Sequence, residues 1–94
     1  MSVEYEWDDE KNVVNRLKHK IDFTDVEDVN WSRAVVVDRS RHGDAESRFA
    51  GIGLLNGKLH TVIFTWREGR MRIISLRRAN KGEEKIYAKN PQNR

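Results

Sequence analysis

"LNGKLHTVIFTWREGRMRIISLRRA", Leu55 to Ala79, decides the fold. Asn56-Gly57 and Glu68-Gly69 interrupt runs of β-branched, aromatic and aliphatic residues. Asn-Gly is the strongest two-residue hairpin signal a sequence offers, because a type I′ turn needs positive φ at both central positions. The stretch therefore predicts successive antiparallel strands over Arg48–Leu55, Lys58–Arg67 and Arg70–Arg77. If both turns take two residues, register follows by counting: Leu55 faces Lys58 and Arg67 faces Arg70. Arg48, Thr65 and Arg72 then lie side by side on one face, with Ala50, Ile52, Ile63, Ile74 and Leu76. The other face collects Phe49, Val62, Phe64, Trp66, Met71 and Ile73, and its far end sets His60 opposite Arg77. Both faces are apolar in the middle, so both should be covered.

The last ten residues, "RMRIISLRRA", place four arginines around Ile73, Ile74 and Leu76. This pattern suits a central strand whose ends line a cationic rim. Two arginines flanking a threonine suit a phosphate, since guanidinium groups offer paired donors and permanent charge. The plainer alternative is that Arg48 and Arg72 pair with Glu46 or Glu68 on a solvated surface.

Outward from this core, "VEYEW" alternates apolar and acidic residues and leads into Asp8, a good helix cap. It predicts a strand over Val3–Trp7 and a helix over Asp9–His19, with Val13, Val14 and Leu17 as an apolar stripe. "TDVE" has capping-box spacing, with Thr24 as cap and Glu27 reaching back, and opens a short helix to about Asn30. "AVVVD", Ala34–Asp38, reads as a strand, and the polar Arg39–Ser47 segment as a loop. Asn80 caps a last helix to Lys89, and Pro91 marks a frayed tail. The expected fold is one α+β domain over residues 1–94, with a mainly antiparallel sheet in the order β-α-α-β-β-β-β-α.

Composition narrows the functions. The 94 residues contain no cysteine, which excludes disulfides and cysteine-based zinc sites. No apolar run approaches the roughly 20 residues of a membrane span, and the acidic start is unlike a signal peptide. A soluble, cytoplasmic protein with no membrane partner is expected. The net charge of +3 hides a split: residues 1–46 carry 7 basic against 12 acidic side chains, and residues 47–94 carry 11 against 3. Such asymmetry suggests a polyanion-binding face, unless the two halves neutralise one another in the fold.

His19, His42 and His60 form no metal-binding spacing, so no metal or other cofactor is expected. His19 ends a helix, where it can act as an acid or base or simply complement the helix dipole. Gly51 and Gly53 sit inside a strand, where a helix packs close, rather than in a phosphate loop. Trp7, Trp31 and Trp66 read as core. Tyr87, among Lys85 and Lys89, can stack a base or pack its helix. Arginines, lysines, a carboxylate and a histidine suffice for RNA cleavage by internal attack, in which the 2′-hydroxyl is itself the nucleophile.

At this point the chain resembles the BrnT toxins of bacterial type II toxin–antitoxin systems, from about Tyr5 to Tyr87. The resemblance rests on Trp7-Asp8, Lys11, Asn15, Lys18-His19, Phe23, Asp38, Glu46-x-Arg48, Ile52-Gly53, "RIISLRRA" (Arg72 to Ala79), Glu83 and Tyr87. It implies a RelE-like fold and a ribonuclease that inhibits translation. It also implies a BrnA-like antitoxin that binds operator DNA, so that the toxin meets DNA only through its partner. Carried over by position, the catalytic set is Glu46, Arg48, Arg72, Arg77 and Arg78, with His19. RNA contacts fall to Lys18, Arg48, Arg72, Arg77, Arg78 and Tyr87. Lys20 stands where the family usually has glycine, so the turn after the first helix is expected to differ. Two rival readings remain: an inactive module that binds nucleic acid or antitoxin, and a structural protein whose basic half docks an acidic partner.

Overall fold

The computed structural model describes residues 3–93. Its centre is a mixed five-stranded sheet built from β1 (Tyr5–Glu6), β2 (Val35–Asp38), β3 (Phe49–Leu55), β4 (Lys58–Arg67) and β5 (Arg70–Arg78). The order across the sheet is β1-β5-β4-β3-β2; β1 runs parallel to β5, and the other three pairings are antiparallel. Helices α1 (Asp9–His19) and α2 (Lys81–Lys89) and a 3₁₀ helix (Phe23–Asp28) complete the fold. Among the described residues no helix is long and apolar enough to cross a membrane.

Both hairpins close with positive φ at both turn residues, 52° and 78° in each, as their sequences predict. The counted register holds from Arg67↔Arg70 to Phe64↔Ile73 and then fails. Ile63 pairs with Ser75, so Ile74 is an extra residue, a β-bulge. Beyond it every expected pair is displaced by one. His60 faces Arg78 rather than Arg77, and Leu76 turns to the same face as Val62 and Phe64.

That face carries the core: Val62, Phe64, Ile73 and Leu76 pack beneath Phe23 and Val26 of the 3₁₀ helix and Val29 just after it. Trp7 meets Phe23 edge-on, and Trp31 meets Phe64. Gly51 is required here, since a Cβ on it would lie 2.6 Å from the Trp31 ring. The close neighbour is this tryptophan rather than a helix.

Helix α1 docks in an unexpected way. Its caps agree with the sequence, with the Asp8 carboxylate accepting from the Glu10 and Lys11 N–H groups. Its apolar stripe, however, points outward: Val13, Val14 and Leu17 are exposed, and Asn12 and Asn15 are the buried residues. The reason is that α1 lies against the edge of β5, where the two-residue β1 has stopped. A strand edge offers backbone donors and acceptors rather than methyl groups. The Asn15 amide donates to the Leu76 carbonyl at 2.8 Å and accepts from the Leu76 N–H at 3.1 Å. Asn12 accepts from the Phe23 N–H and donates to Asp22. Asp22, not Thr24, caps the 3₁₀ helix. The Thr24 N–H, the Asn12 amide and Arg16 hold its carboxyl at about 2, against a smaller opposing effect of burial.

The second face is covered only in part, by α2. Asn80 and Glu83 form a reciprocal capping box. The fully buried Glu83 carboxylate also accepts from Thr61 at 2.8 Å and from both Arg77 terminal nitrogens at 2.8 and 2.9 Å. Arg39 stands 3.5 Å away. Burial pushes this carboxyl up, but the donors together outweigh it and hold it at about 2. The tail is not frayed: Pro91–Asn93 form a 3₁₀ turn in which Asn93 donates to the Arg33 and Tyr87 carbonyls.

Two outcomes follow from this docking. Asn15→Ala strands the N–H and C=O of Leu76 and should cost about 3 kcal/mol in urea unfolding. Leu17→Ala, at a residue 69% exposed, should stay within about 0.5 kcal/mol. Glu83 has a depressed pKa, so its contribution is complete above the ordinary carboxylate range and is lost as pH falls toward about 2. The stability gap between the native chain and Glu83→Gln should be about 3 kcal/mol at pH 7 and shrink between pH 5 and 2. A gap that does not change with pH would show that Glu83 is held by shape alone.

Candidate active site

The uncovered part of the second face is a cleft between α1, the Arg39–Ser47 loop and the turn ends of β4 and β5. Lys11, Glu46, Arg48, Arg67, Arg72 and Ile74 line it, with Asp44, Ala45 and Thr65. The loop is fastened at its base. Ser40 Oγ accepts from the Arg48 N–H at 2.9 Å, and the Arg39 N–H donates to the Arg48 carbonyl at 2.8 Å. Thr65 Oγ1 donates to the Ser47 carbonyl at 2.6 Å. Thr65 is thus a buried strut that fixes the segment bearing Glu46 and Arg48 over the sheet, rather than a free hydroxyl in the cleft.

Charge in the cleft is partly paired. Arg67 clasps Glu46 through Nη2 at 2.6 Å and Nε at 3.2 Å. Arg72 meets Glu6 of β1 at 2.6 Å, and Arg70 meets Glu4 at 3.0 Å. Arg48 and Lys11 have no carboxylate partner among the described residues. The hydrogen bond from Arg67 lowers the Glu46 pKa, partial desolvation opposes it, and the charges of Arg67, Arg72 and Arg48 lower it further, so that the net direction is down. Glu46 is therefore an ionised carboxylate within the field of three guanidinium groups.

A second hollow continues the first along α1. It is lined by Val14, Lys18, His19 and Ser75, and shares Lys11 and Ile74 with the first. Lys18 and His19 lie there, not beside Glu46. At 1.5 Å per residue His19 stands about 12 Å along the helix from Lys11. The structure thus brings Glu46, Arg48 and Arg72 together and sets Lys18 and His19 further along the same groove.

The other expected site residues lie elsewhere. Arg77 is turned under α2 into the ion pair with Glu83. Arg78, one residue on, is exposed on the opposite face beside His60. Tyr87 lies on α2 with Leu59, Lys85 and Ala88, outside both hollows. Two residues of the cleft were not foreseen as functional. Lys11 could have been found, since Lys11, Val14 and Lys18 share one helical face at i, i+3 and i+7. Arg67 carries no signal beyond its place next to the second turn. Among the described residues no three His, Cys, Asp or Glu side chains converge closely enough to hold a metal ion.

The chain matches the family described as the ribonuclease toxin, BrnT, of type II toxin–antitoxin systems, over residues 7–83. It is also similar to the crystal structure of the Brucella abortus ribonuclease toxin, BrnT, with a TM-score of 0.67 and 30% sequence identity. That match covers 85% of this chain and 100% of the Brucella chain. No curated protein is matched in sequence. The matched segment runs from Trp7 to Glu83 and so contains α1, the basal loop and every residue of the cationic cleft. The chain belongs to the BrnT family of ribonuclease toxins of type II toxin–antitoxin systems.

Proposed function

We propose that this chain is a metal-independent endoribonuclease, RelE-like in kinship, that arrests translation by cleaving RNA at the Glu46–Arg48–Arg72 cleft. One observation carries the reading: the cleft gathers Lys11, Arg48, Arg67 and Arg72 near the ionised Glu46 carboxylate, with Asp44 as the other carboxylate of its lining. Four permanent or near-permanent cations in one place suit a phosphate that gains charge during reaction.

In this mechanism Arg48 and Arg72 hold the non-bridging oxygens of the scissile phosphate. Arg67 transfers its paired donors from Glu46 to the phosphate as RNA binds. That move releases the hydrogen bond that depresses Glu46 and makes its carboxylate a better base. The 2′-oxygen then bonds to phosphorus as its proton passes to Glu46. The bond to the 5′-oxygen breaks, and the leaving oxygen takes a proton from the Lys11 ammonium. The products are a 2′,3′-cyclic phosphate and a 5′-hydroxyl. His19 and Lys18, further along the groove, bind the strand rather than move protons. Arg77 supports the fold through Glu83.

The partner in this reading is a BrnA-like antitoxin that binds operator DNA and silences the toxin by covering the cleft with acidic and apolar residues. The cytoplasm is where its RNA substrate lies.

Purified protein incubated with RNA in excess EDTA should still cut and leave cyclic phosphate ends. Cleavage that stops in EDTA and returns with a divalent ion would defeat the metal-independent mechanism. Arg48→Ala and Arg72→Ala should each lower the cleavage rate about 10²–10³-fold. Glu46→Gln should lower it about 10²–10⁴-fold, with folding unchanged by circular dichroism. Full activity in Glu46→Gln would remove the carboxylate from the chemistry.

A further inference from the structure

A second group of cations gathers beyond the end of α1, around the opposite face of the sheet. Lys20, Lys58 and Arg78 line one hollow there with His19 and His60, and Asp25 is its one carboxylate. None of the three cations has an ion-pair partner among the described residues. They come from three separate elements: the C-cap of α1, the start of β4 and the end of β5. The bulge at Ile74 puts Arg78 there, paired in register with His60.

We infer that this hollow is an exosite for the phosphates of the RNA strand that passes through the catalytic cleft, an inference that rests on the ribonuclease reading above. Continuity is the first reason. Lys11 and Ile74 line both the cleft and the groove beside α1, and His19 lines both that groove and the far hollow. The three form one track, with Lys18 in the middle hollow next to His19. The span from Lys11 to His19, about 12 Å, matches roughly three to four nucleotides of a stacked strand at about 3.4 Å each. A strand gripped at Arg48 and Arg72 would thus reach the far cations after a few nucleotides.

Lys20 supplies the second reason. It adopts the left-handed conformation at φ 61°, where it donates its N–H to the Arg16 carbonyl and closes the helix. Glycine does this without penalty, and another residue costs about 1 kcal/mol. The Lys20 ammonium reaches the Leu17 carbonyl at 3.3 Å, which offsets part of that cost, yet the side chain stays exposed at the mouth of the hollow. Its charge stands beside Lys58 and Arg78, whose mutual repulsion a polyanion would relieve.

The test uses 2′-O-methyl oligonucleotides, which cannot be cut, of three and twelve nucleotides, with the full chain and its Lys20→Gly/Lys58→Gln variant. Glycine at residue 20 keeps the turn, so the variant should fold at least as well. The twelve-nucleotide strand should bind the native chain at least tenfold more tightly than the three-nucleotide strand. The variant should lose most of that advantage, and its salt slope should fall by about 1.4, two contacts at about 0.7 each. Binding of the short strand should be unchanged. An unchanged twelve-nucleotide affinity and slope in a folded variant would overturn the exosite while leaving the ribonuclease reading intact. No binding of either strand by the native chain would overturn both. Weaker capture of the antitoxin with RNA affinity unaltered would assign the patch to a protein and also overturn the inference.

Discussion

One extra residue in β5 determines which way Arg77 and Arg78 turn and where Leu76 packs. With regular pairing, Leu76 would lie on the face of Ile52 and Thr61, and Arg77 would point toward the aromatic core. The bulge at Ile74 reverses both. Leu76 becomes fully buried against Val62, and Arg77 turns beneath α2 to meet Glu83. Ile74 and Ser75 both face Ile63, as the two residues of a bulge do, and become the floor of the groove beside α1. Just past the bulge the strand edge is open, and Asn15 takes the N–H and C=O of Leu76. The bulge therefore sets the core, the docking of both helices and the shape of the cleft.

Much of this was legible in the sequence. Asn56-Gly57 and Glu68-Gly69 marked both turns, because glycine at the second position accepts a positive φ at no cost, and Glu68 follows Asn56 into the same torsion. Asp8 and Asn80 fixed the helix starts, because side-chain acceptors at those positions have little else to bond. The Arg48, Thr65 and Arg72 row followed from counting, since it lies on the near side of the bulge. The bulge itself is marked by no single residue. Ile73 and Leu76, three apart, would both be buried under strict alternation too, one on each covered face, so only the observed pairing shows that they share the core face.

The misreading of α1 has a different cause. Helical periodicity tells which residues share a face but not which face is turned inward. Val13, Val14 and Leu17 share one, yet the neighbour of α1 is a strand edge, and two asparagines satisfy an edge better than three aliphatic side chains. Glu46 illustrates a third limit. Sequence proximity suggests Arg48 as its partner, but the chain bends at Glu46 before β3 begins and turns the carboxylate toward β4. The guanidinium that reaches Glu46 comes from Arg67, 21 residues away. Lys20 was expected to alter the turn after α1, and instead it adopts the glycine-like torsion itself.

Part of the charge split between the two halves of the chain is met by pairing. Acidic residues of the first half are spent on arginines of the second: Glu4 and Glu6 on Arg70 and Arg72, and Glu46 on Arg67. These pairs are partly or largely open to water, where an ion pair contributes only about 0–1 kcal/mol. A phosphate can displace such a carboxylate at little cost, because the guanidinium fork fits either group equally well. The Arg77–Glu83 pair is of another kind. Its carboxylate is fully buried with every neighbour satisfied, so releasing Arg77 would leave a charge without a partner in the protein interior. The paired arginines thus divide by the burial of the carboxylate they meet. Those facing open glutamates can exchange partners readily, and Arg77, doubly bonded to the buried Glu83, cannot. In the proposed mechanism this division separates Arg67 and Arg72, whose pairs are open to exchange, from Arg77, while Arg48, which meets no carboxylate among the described residues, needs no exchange.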